Sequence, residues 1–226
     1  KAFQRSYKEV LRYPDPCGKE LKEALAKRHG MKPAEILVGN GSTQLIYLLC
    51  SALRPRKALI VAPAFSEYAN ALKLAGAKVR LLSLTSDGFF EFSTEKFMTS
   101  WGKDTGIAFL TTPNSMTGRL IPRAEIEKIA RIALLERRFL VIDEAFIDFV
   151  EEESVKQLIR HNPYVIIIRS LTKYYALPGL RLGYLLAHPR RVVQLGAYLE
   201  PWSVNGPAQK VALACMADRS FRLKTE

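Results

Sequence analysis

Lys173 stands in the run Ser170-Leu171-Thr172-Lys173, directly after the apolar stretch Tyr164–Arg169. Most lysines are solvated, but one held in a partly apolar site can lose its proton and attack a carbonyl. Arg181 follows between Leu180 and Leu182, a setting that suits a solvated face poorly. It reads either as an anion-capturing group or as half of a structural ion pair. Gly39-Asn40-Gly41-Ser42-Thr43 precedes a segment with helical spacing. Backbone N–H groups and two hydroxyls at a helix start can hold a phosphate. The same residues also make an ordinary cap after a glycine turn. Asp143 closes the apolar run Phe139–Ile142 and reads as a turn former or as a buried partner for a ligand cation.

Each group is ambiguous alone, and together they describe one chemistry. A nucleophilic lysine, an anion cradle with an arginine, and an aspartate suit pyridoxal 5'-phosphate. The lysine forms a Schiff base, the cradle holds the phosphate, and the aspartate keeps the pyridine nitrogen protonated, which makes the ring an electron sink. An aromatic should cover that ring. Phe65, in Pro63-Ala64-Phe65-Ser66-Glu67-Tyr68, is the candidate, and a plain core aromatic is the other reading.

These groups must be brought to one place, and the pattern of the chain says where. Strand-like runs at Ala58–Ala62, Lys78–Leu82, Ile107–Leu110, Phe139–Ile142, Tyr164–Arg169 and Leu182–Ala187 alternate with helical spacing. The helices are expected at Cys17–His29, Gln44–Ala52, Ser66–Ala75, Pro122–Arg138, Arg190–Tyr198 and Pro207–Ala217, with Pro122 at the first helical position. Such alternation, with fully apolar strands, argues for an α/β fold whose mostly parallel sheet is covered on both faces. Ligands of such sheets sit beyond the carboxyl ends of the strands. Asp143, Ser170 and the stretch Pro113-Asn114-Ser115-Met116-Thr117-Gly118 fall there.

The 226 residues are 48% hydrophobic and 25% charged, a globular composition that excludes collagen, coiled coil and disorder. No apolar run approaches the ~18 residues of a membrane span, and no secretory leader is visible, so a cytoplasmic protein away from membranes is expected. Lys and Arg number 34 against 22 Asp and Glu, a net charge of +12 spread along the chain. Without RNP or zinc-finger signatures, this charge points to a phosphorylated small molecule rather than to nucleic acid. The three cysteines lie far apart, as reduced thiols do, and no CxxC or HExxH supports a metal. No Gly-x-Ser-x-Gly elbow supports a hydrolase. The competing class is a basic nucleotide-binding α/β module, which would bind with strong salt dependence and no cofactor colour.

The chain resembles the fold-type I pyridoxal-phosphate enzymes, in the branch of the class I and II aminotransferases that holds histidinol-phosphate aminotransferases and threonine-phosphate decarboxylases. The resemblance runs from Arg12-Tyr13-Pro14-Asp15-Pro16 to about residues 201–209 and is densest from Leu171 to Tyr184. It implies a three-layer α/β/α large domain over residues 1–205 with a truncated N-terminal arm. Residues 206–226 would then open a linker helix toward a missing small domain. It implies Lys173 as the Schiff-base lysine and Asp143 at the pyridine nitrogen, both catalytic. Phe65 would stack on the ring, and Ser42, Thr43, Ser170, Thr172 and Arg181 would hold the phosphate. Tyr13 would reach the phosphate of a neighbouring subunit, so a homodimer is expected.

Two departures stand out. Where the family reads Pro-Asn-Asn-Pro-Thr-Gly, alignment on Thr-Gly puts Ser115 in place of the asparagine that meets the cofactor's phenolic oxygen, and Asn114 could serve instead by a local shift. Where the family reads Asp-Glu-Ala-Tyr, Phe146 removes a hydroxyl from the same oxygen. Fewer donors there leave the phenolate less neutralised and raise the basicity of the imine beside it. Phe146 and the stretches around Asp143 and Lys173 look more like the decarboxylase branch. The expected reaction is decarboxylation of L-threonine O-3-phosphate in cobalamin synthesis, with transamination of histidinol phosphate as the alternative.

Overall fold

The computed structural model describes Gln4 and residues 6–225. Seven strands form one sheet: β1 (Ile36–Gly39), β2 (Lys57–Ala62), β3 (Lys78–Ser83), β4 (Ile107–Thr111), β5 (Phe139–Asp143), β6 (Val165–Ser170) and β7 (Gly183–Ala187). Their spatial order is β1-β7-β6-β5-β4-β2-β3. The block from β6 to β3 is parallel, and β7 runs antiparallel to both β6 and β1. The helices are α1 (Lys19–His29), α2 (Gly41–Leu53), α3 (Ser66–Leu74), α4 (Thr94–Ser100), α5 (Arg123–Leu135), α6 (Leu171–Tyr174), α7 (Pro189–Gly196), α8 (Gly206–Ala217) and α9 (Arg219–Thr225).

Successive strand residues point to opposite faces, so each apolar run divides between two cores. Leu140, Ile142, Val165 and Ile167 join one core, closed by α1, α4, α5 and α8. Val141, Ile166 and Ile168 join the other, closed by α2, α3 and α7. The result is the mostly parallel sheet covered on both faces that the alternation implies, and the three-layer architecture that the resemblance implies. None of the helices among the described residues is long and apolar enough to cross a membrane.

Local chemistry moves several element ends. α1 begins at Lys19 rather than Cys17, because Gly18 turns left-handed (φ 59°) and the Asp15 carboxylate accepts from the N–H groups of Cys17 (2.8 Å) and Lys19 (3.1 Å). α2 begins at Gly41 rather than Gln44. Pro122 is the cap of α5, with ψ 137°, and not its first helical residue. β1 and α4 have no counterpart in the sequence pattern. Four strand residues are too few to show a period, and α4 is a short helix, capped by Ser93, that buries Phe97.

What positions the site is the common edge at which β4, β5 and β6 end. Thr111 pairs with Asp143, and Ser170 pairs with Gly183 at the start of the reversed β7. Behind that edge, Glu144 and Arg169 turn toward each other. The Arg169 guanidinium lies 2.8 Å from Glu144, both side chains fully buried, and 2.7 Å from Glu151. The Ser154 hydroxyl donates to Glu144, and the Val155 N–H donates to its other oxygen. Burial would raise the Glu151 pKa, but His29, Arg169 and Lys156 hold it well below the usual carboxylate range. His29, at the end of α1, also bonds the buried Tyr184 hydroxyl at 2.7 Å.

Removing one partner of a buried ion pair strands the other charge at a cost of about 3–5 kcal/mol. Arg169→Met should therefore lower unfolding stability by that amount in urea titration. The double change with Glu144→Leu should cost less than the single one.

Candidate active site

The first half of the site is an anion cradle. α2 starts at Gly41, so the N–H groups of its first turn point at the sheet edge with the positive end of the helix dipole. β7 passes against this helix start at Gly183, where an added Cβ would sit 2.3 Å from the Ser42 nitrogen. Only glycine permits that approach. Arg181 takes a left-handed backbone (φ 53°), a conformation that costs an ordinary residue about 1–3 kcal/mol. This turn lifts its side chain off the core. The guanidinium lies over Gly41, where a Cβ would meet it at 2.7 Å, and it donates to the Pro178 carbonyl at 3.0 Å. Arg181 is thus exposed at the rim rather than withdrawn from solvent as its neighbours suggest, and it makes no ion pair among the described residues. The structural ion pair has no partner there, while a cation beside a positive helix end makes a setting for an anion.

The second half lies at the ends of β5 and β6. A cavity of about 230 Å³ is lined by Ser42, Thr43, Phe65, Asp143, Ser170, Thr172, Lys173 and Arg181, together with Ser115 and Phe146. The Ser170 and Thr172 hydroxyls are buried and bonded to each other at 2.8 Å. Lys173 sits on α6, directly after β6, and is exposed. Its apolar wall is the ring of Phe146, 5.6 Å from Nζ, so the enclosure is thinner than the sequence leads one to expect.

Asp143 forms the floor and is 5% exposed. One carboxylate oxygen accepts from the Ala145 N–H at 2.9 Å and the other from the Tyr68 hydroxyl at 2.5 Å. Burial raises its pKa, opposed by these two bonds and, more weakly, by the charge of Lys173. Phe65 caps α3 at the cavity mouth, its ring edge-on to Tyr68 at 5.9 Å.

Two of the candidate residues lie elsewhere. The Asn114 amide is spent on its own loop: it donates to the Pro63 carbonyl at 2.8 Å and accepts from the N–H groups of Met116 and Thr117. It lines a neighbouring cavity, and Ser115 is the one that faces the site. Tyr13 is 85% exposed, packed on Trp202 with ring centroids 5.3 Å apart, and does not line this chain's cavity. The sequence pattern missed Tyr68 and Thr111, whose hydroxyls are 3.1 Å apart on the cavity wall. Tyr68 had a local signal, three positions past Phe65 on the first turn of a helix, while its link to Asp143 needs the folded sheet.

A doubly covered α/β sheet with a lysine, an anion cradle and a buried carboxylate at its carboxyl edge defines a class of cofactor-binding protein. The chain belongs to the class I and II aminotransferase family, whose model matches residues 1–226. It is 37% identical over 218 residues to a threonine-phosphate decarboxylase of Salmonella typhimurium, covering 96% of this chain and 60% of that protein. It is 36% identical over 222 residues to a histidinol-phosphate aminotransferase of Nitratidesulfovibrio vulgaris, covering 96% and 59%. A histidinol-phosphate aminotransferase from Sinorhizobium meliloti, solved with pyridoxal-5'-phosphate, shares the fold with a TM-score of 0.90 at 22% identity, covering 99% of this chain and 61% of that one. The chain thus spans about 60% of the length of the curated relatives it matches.

Pyridoxal phosphate is the cofactor that goes with this family, and the residues present fit it. The cradle is a space that a Cβ at Gly41 or Gly183 would fill, Lys173 supplies an amine, and Asp143 a buried carboxylate.

Gly183→Ala should raise the apparent Kd for pyridoxal phosphate at least ~10-fold, about 1.4 kcal/mol, in an absorbance titration. Arg181→Ala should cost about 1.5–3 kcal/mol of the same affinity, the range for a charge-assisted hydrogen bond. Arg181→Lys should recover only part of it, since an ammonium lacks the planar fork.

Proposed function

We propose that this chain carries the cofactor-binding part of a pyridoxal-phosphate enzyme that decarboxylates L-threonine O-3-phosphate, with residues 1–205 as the large domain and residues 206–226 opening a linker helix. The observation that carries the reading is the convergence of Lys173, the α2–Arg181 cradle and buried Asp143 on one cavity. When bound, pyridoxal phosphate supplies an electron sink for the bond broken at the substrate's Cα.

The chain's own residues do the rest. Ser42, Thr43, Ser170, Thr172 and Arg181 would grip the phosphate in the cavity that Lys173 also lines. Asp143 holds a proton at the ring nitrogen. Ser115 would offer a further hydroxyl from the wall, and Phe65 would cover the ring. Lys173 would deliver a proton to Cα. Decarboxylation is favoured by Phe146, which sets hydrocarbon rather than a hydroxyl beside Lys173. A carboxylate leaving as neutral CO2 loses charge, and an apolar wall opposes that change less than it opposes the charged starting state. Transamination of histidinol phosphate is the second reading, supported by near-equal similarity to both kinds of relative.

We assign Tyr13 to the phosphate site of a second copy, since its exposed ring lies outside its own cavity, and we place the enzyme in the cytoplasm as a homodimer. Light scattering showing a monomer with full cofactor occupancy would rule out the shared site.

Borohydride treatment followed by mass spectrometry should find a pyridoxyl adduct on Lys173 and none in Lys173→Ala; an adduct on a different lysine defeats the assignment. The protein expressed at the length its gene encodes should release CO2 and aminopropanol phosphate from O-phosphothreonine. A higher kcat/KM for 2-oxoglutarate-dependent conversion of histidinol phosphate would establish the aminotransferase reading instead.

A further inference from the structure

Tyr68 and Thr111 are cavity residues to which the phosphate cradle and the lysine give no task. Tyr68 is 1% exposed, its ring stacked on Phe109 at 5.1 Å and set edge-on to Phe65. These contacts leave its hydroxyl one position, 2.5 Å from Asp143 and 3.1 Å from the Thr111 hydroxyl. An ionised carboxylate only accepts. The single Tyr68 proton therefore goes to Asp143, and Thr111 donates to Tyr68. Burial and the Asp143 charge push the Tyr68 pKa well above its ordinary value, so it remains a donor. Aligned donors polarise one another, which strengthens the bond at the end of the chain.

We propose that Tyr68 is a positioning residue for the site: oriented by Thr111, it donates to Asp143 and keeps that carboxylate a weaker base than burial alone would make it, so that a proton shared with a ligand's ring nitrogen stays on the ligand. This rests on the reading that Asp143 faces the ring nitrogen of pyridoxal phosphate. The charges that bear on Asp143 are Glu144, just past the end of its strand, and Lys173 on α6, the first favouring its protonated form and the second its ionised form. Burial favours the protonated form most. The Tyr68 bond is the largest influence against it, and the Ala145 N–H follows. Without the hydroxyl, burial is opposed mainly by one backbone N–H, and Asp143 becomes the stronger base. It then competes for the proton that makes the ring an electron sink.

Tyr68→Phe keeps the ring packing and removes only the donor. Two measurements read the effect. In the cofactor-free protein, the carboxyl of Asp143, followed by ¹³C NMR and assigned by its loss in Asp143→Asn, should titrate at higher pH in Tyr68→Phe than in the parent. In the holoenzyme loaded with ¹⁵N-labelled pyridoxal phosphate, the ring-nitrogen resonance should move from the pyridinium position toward that of neutral pyridine. The kcat should fall roughly 10- to 100-fold with KM within about threefold. Thr111→Val should shift both spectra in the same direction by less, and it decides the matter if Tyr68→Phe folds poorly. A carboxyl titration unchanged in both variants overturns the proposal and leaves the cofactor reading standing. A titration that rises while the nitrogen resonance stays put also overturns it. A rising titration in a protein that takes up no pyridoxal phosphate supports the hold of Tyr68 on Asp143 and defeats the cofactor reading instead.

Discussion

The approach of β7 to the start of α2 is the constraint on which the site depends. Gly183 lies so close to Ser42 that any side chain would drive the strand off the helix. That contact joins the first turn of α2 to a segment far along the chain and hangs Arg181 over Gly41. It also fixes the strand order, since β7 must enter antiparallel between β6 and β1 to present its first residue at the edge where its neighbours present their last. A parallel strand there would bring its far end to the site.

Charge is sorted by the same edge. On the cavity side stand a helix N-terminus, Arg181 and Lys173, with Asp143 as the single carboxylate on the wall among the described residues. Behind it, Arg169 is surrounded by Glu144, Asp148 and Glu151. Strand alternation does the sorting, since Asp143 and Glu144, like Ser170 and Arg169, are neighbours in sequence that face opposite ways. A buried pair of this kind contributes little net stability against well-packed apolar residues. Its effect is to hold the ends of β5 and β6 in register while the cavity side stays polar and open to an anion.

The two candidate reactions share this machinery. On the proposed reading both would need the phosphate gripped, the amine of Lys173 free to act and Asp143 ionised at the ring nitrogen. On that reading they differ in which bond at Cα is set for cleavage, and Phe146, whose ring lies 5.6 Å from the Lys173 amine, is the residue proposed to bear on it. The chain is nearly as similar to a histidinol-phosphate aminotransferase as to a threonine-phosphate decarboxylase, and one fold can host several chemistries.

Much of the architecture was legible in the sequence, because apolar strands and amphipathic helices are written in periods of local residues. The alternation from Ala58 to Ala187 marked six of the seven strands. The chemistry-bearing residues were legible too, since Ser170, Thr172, Lys173 and Asp143 follow strands and Ser42 and Thr43 follow a glycine turn. The short β1 and α4 were hidden because neither is long enough to show a period. Only the tertiary structure decided the partners: that Arg181 points to a helix start rather than to a carboxylate, that Asn114 is consumed by its own loop while Ser115 faces the cavity, and that Tyr68 donates to Asp143. Local propensity depends on neighbours along the chain and can be read there. A hydrogen bond between α3 and the end of β5 depends on the sheet register that brings them together, and no spacing in the sequence encodes that distance.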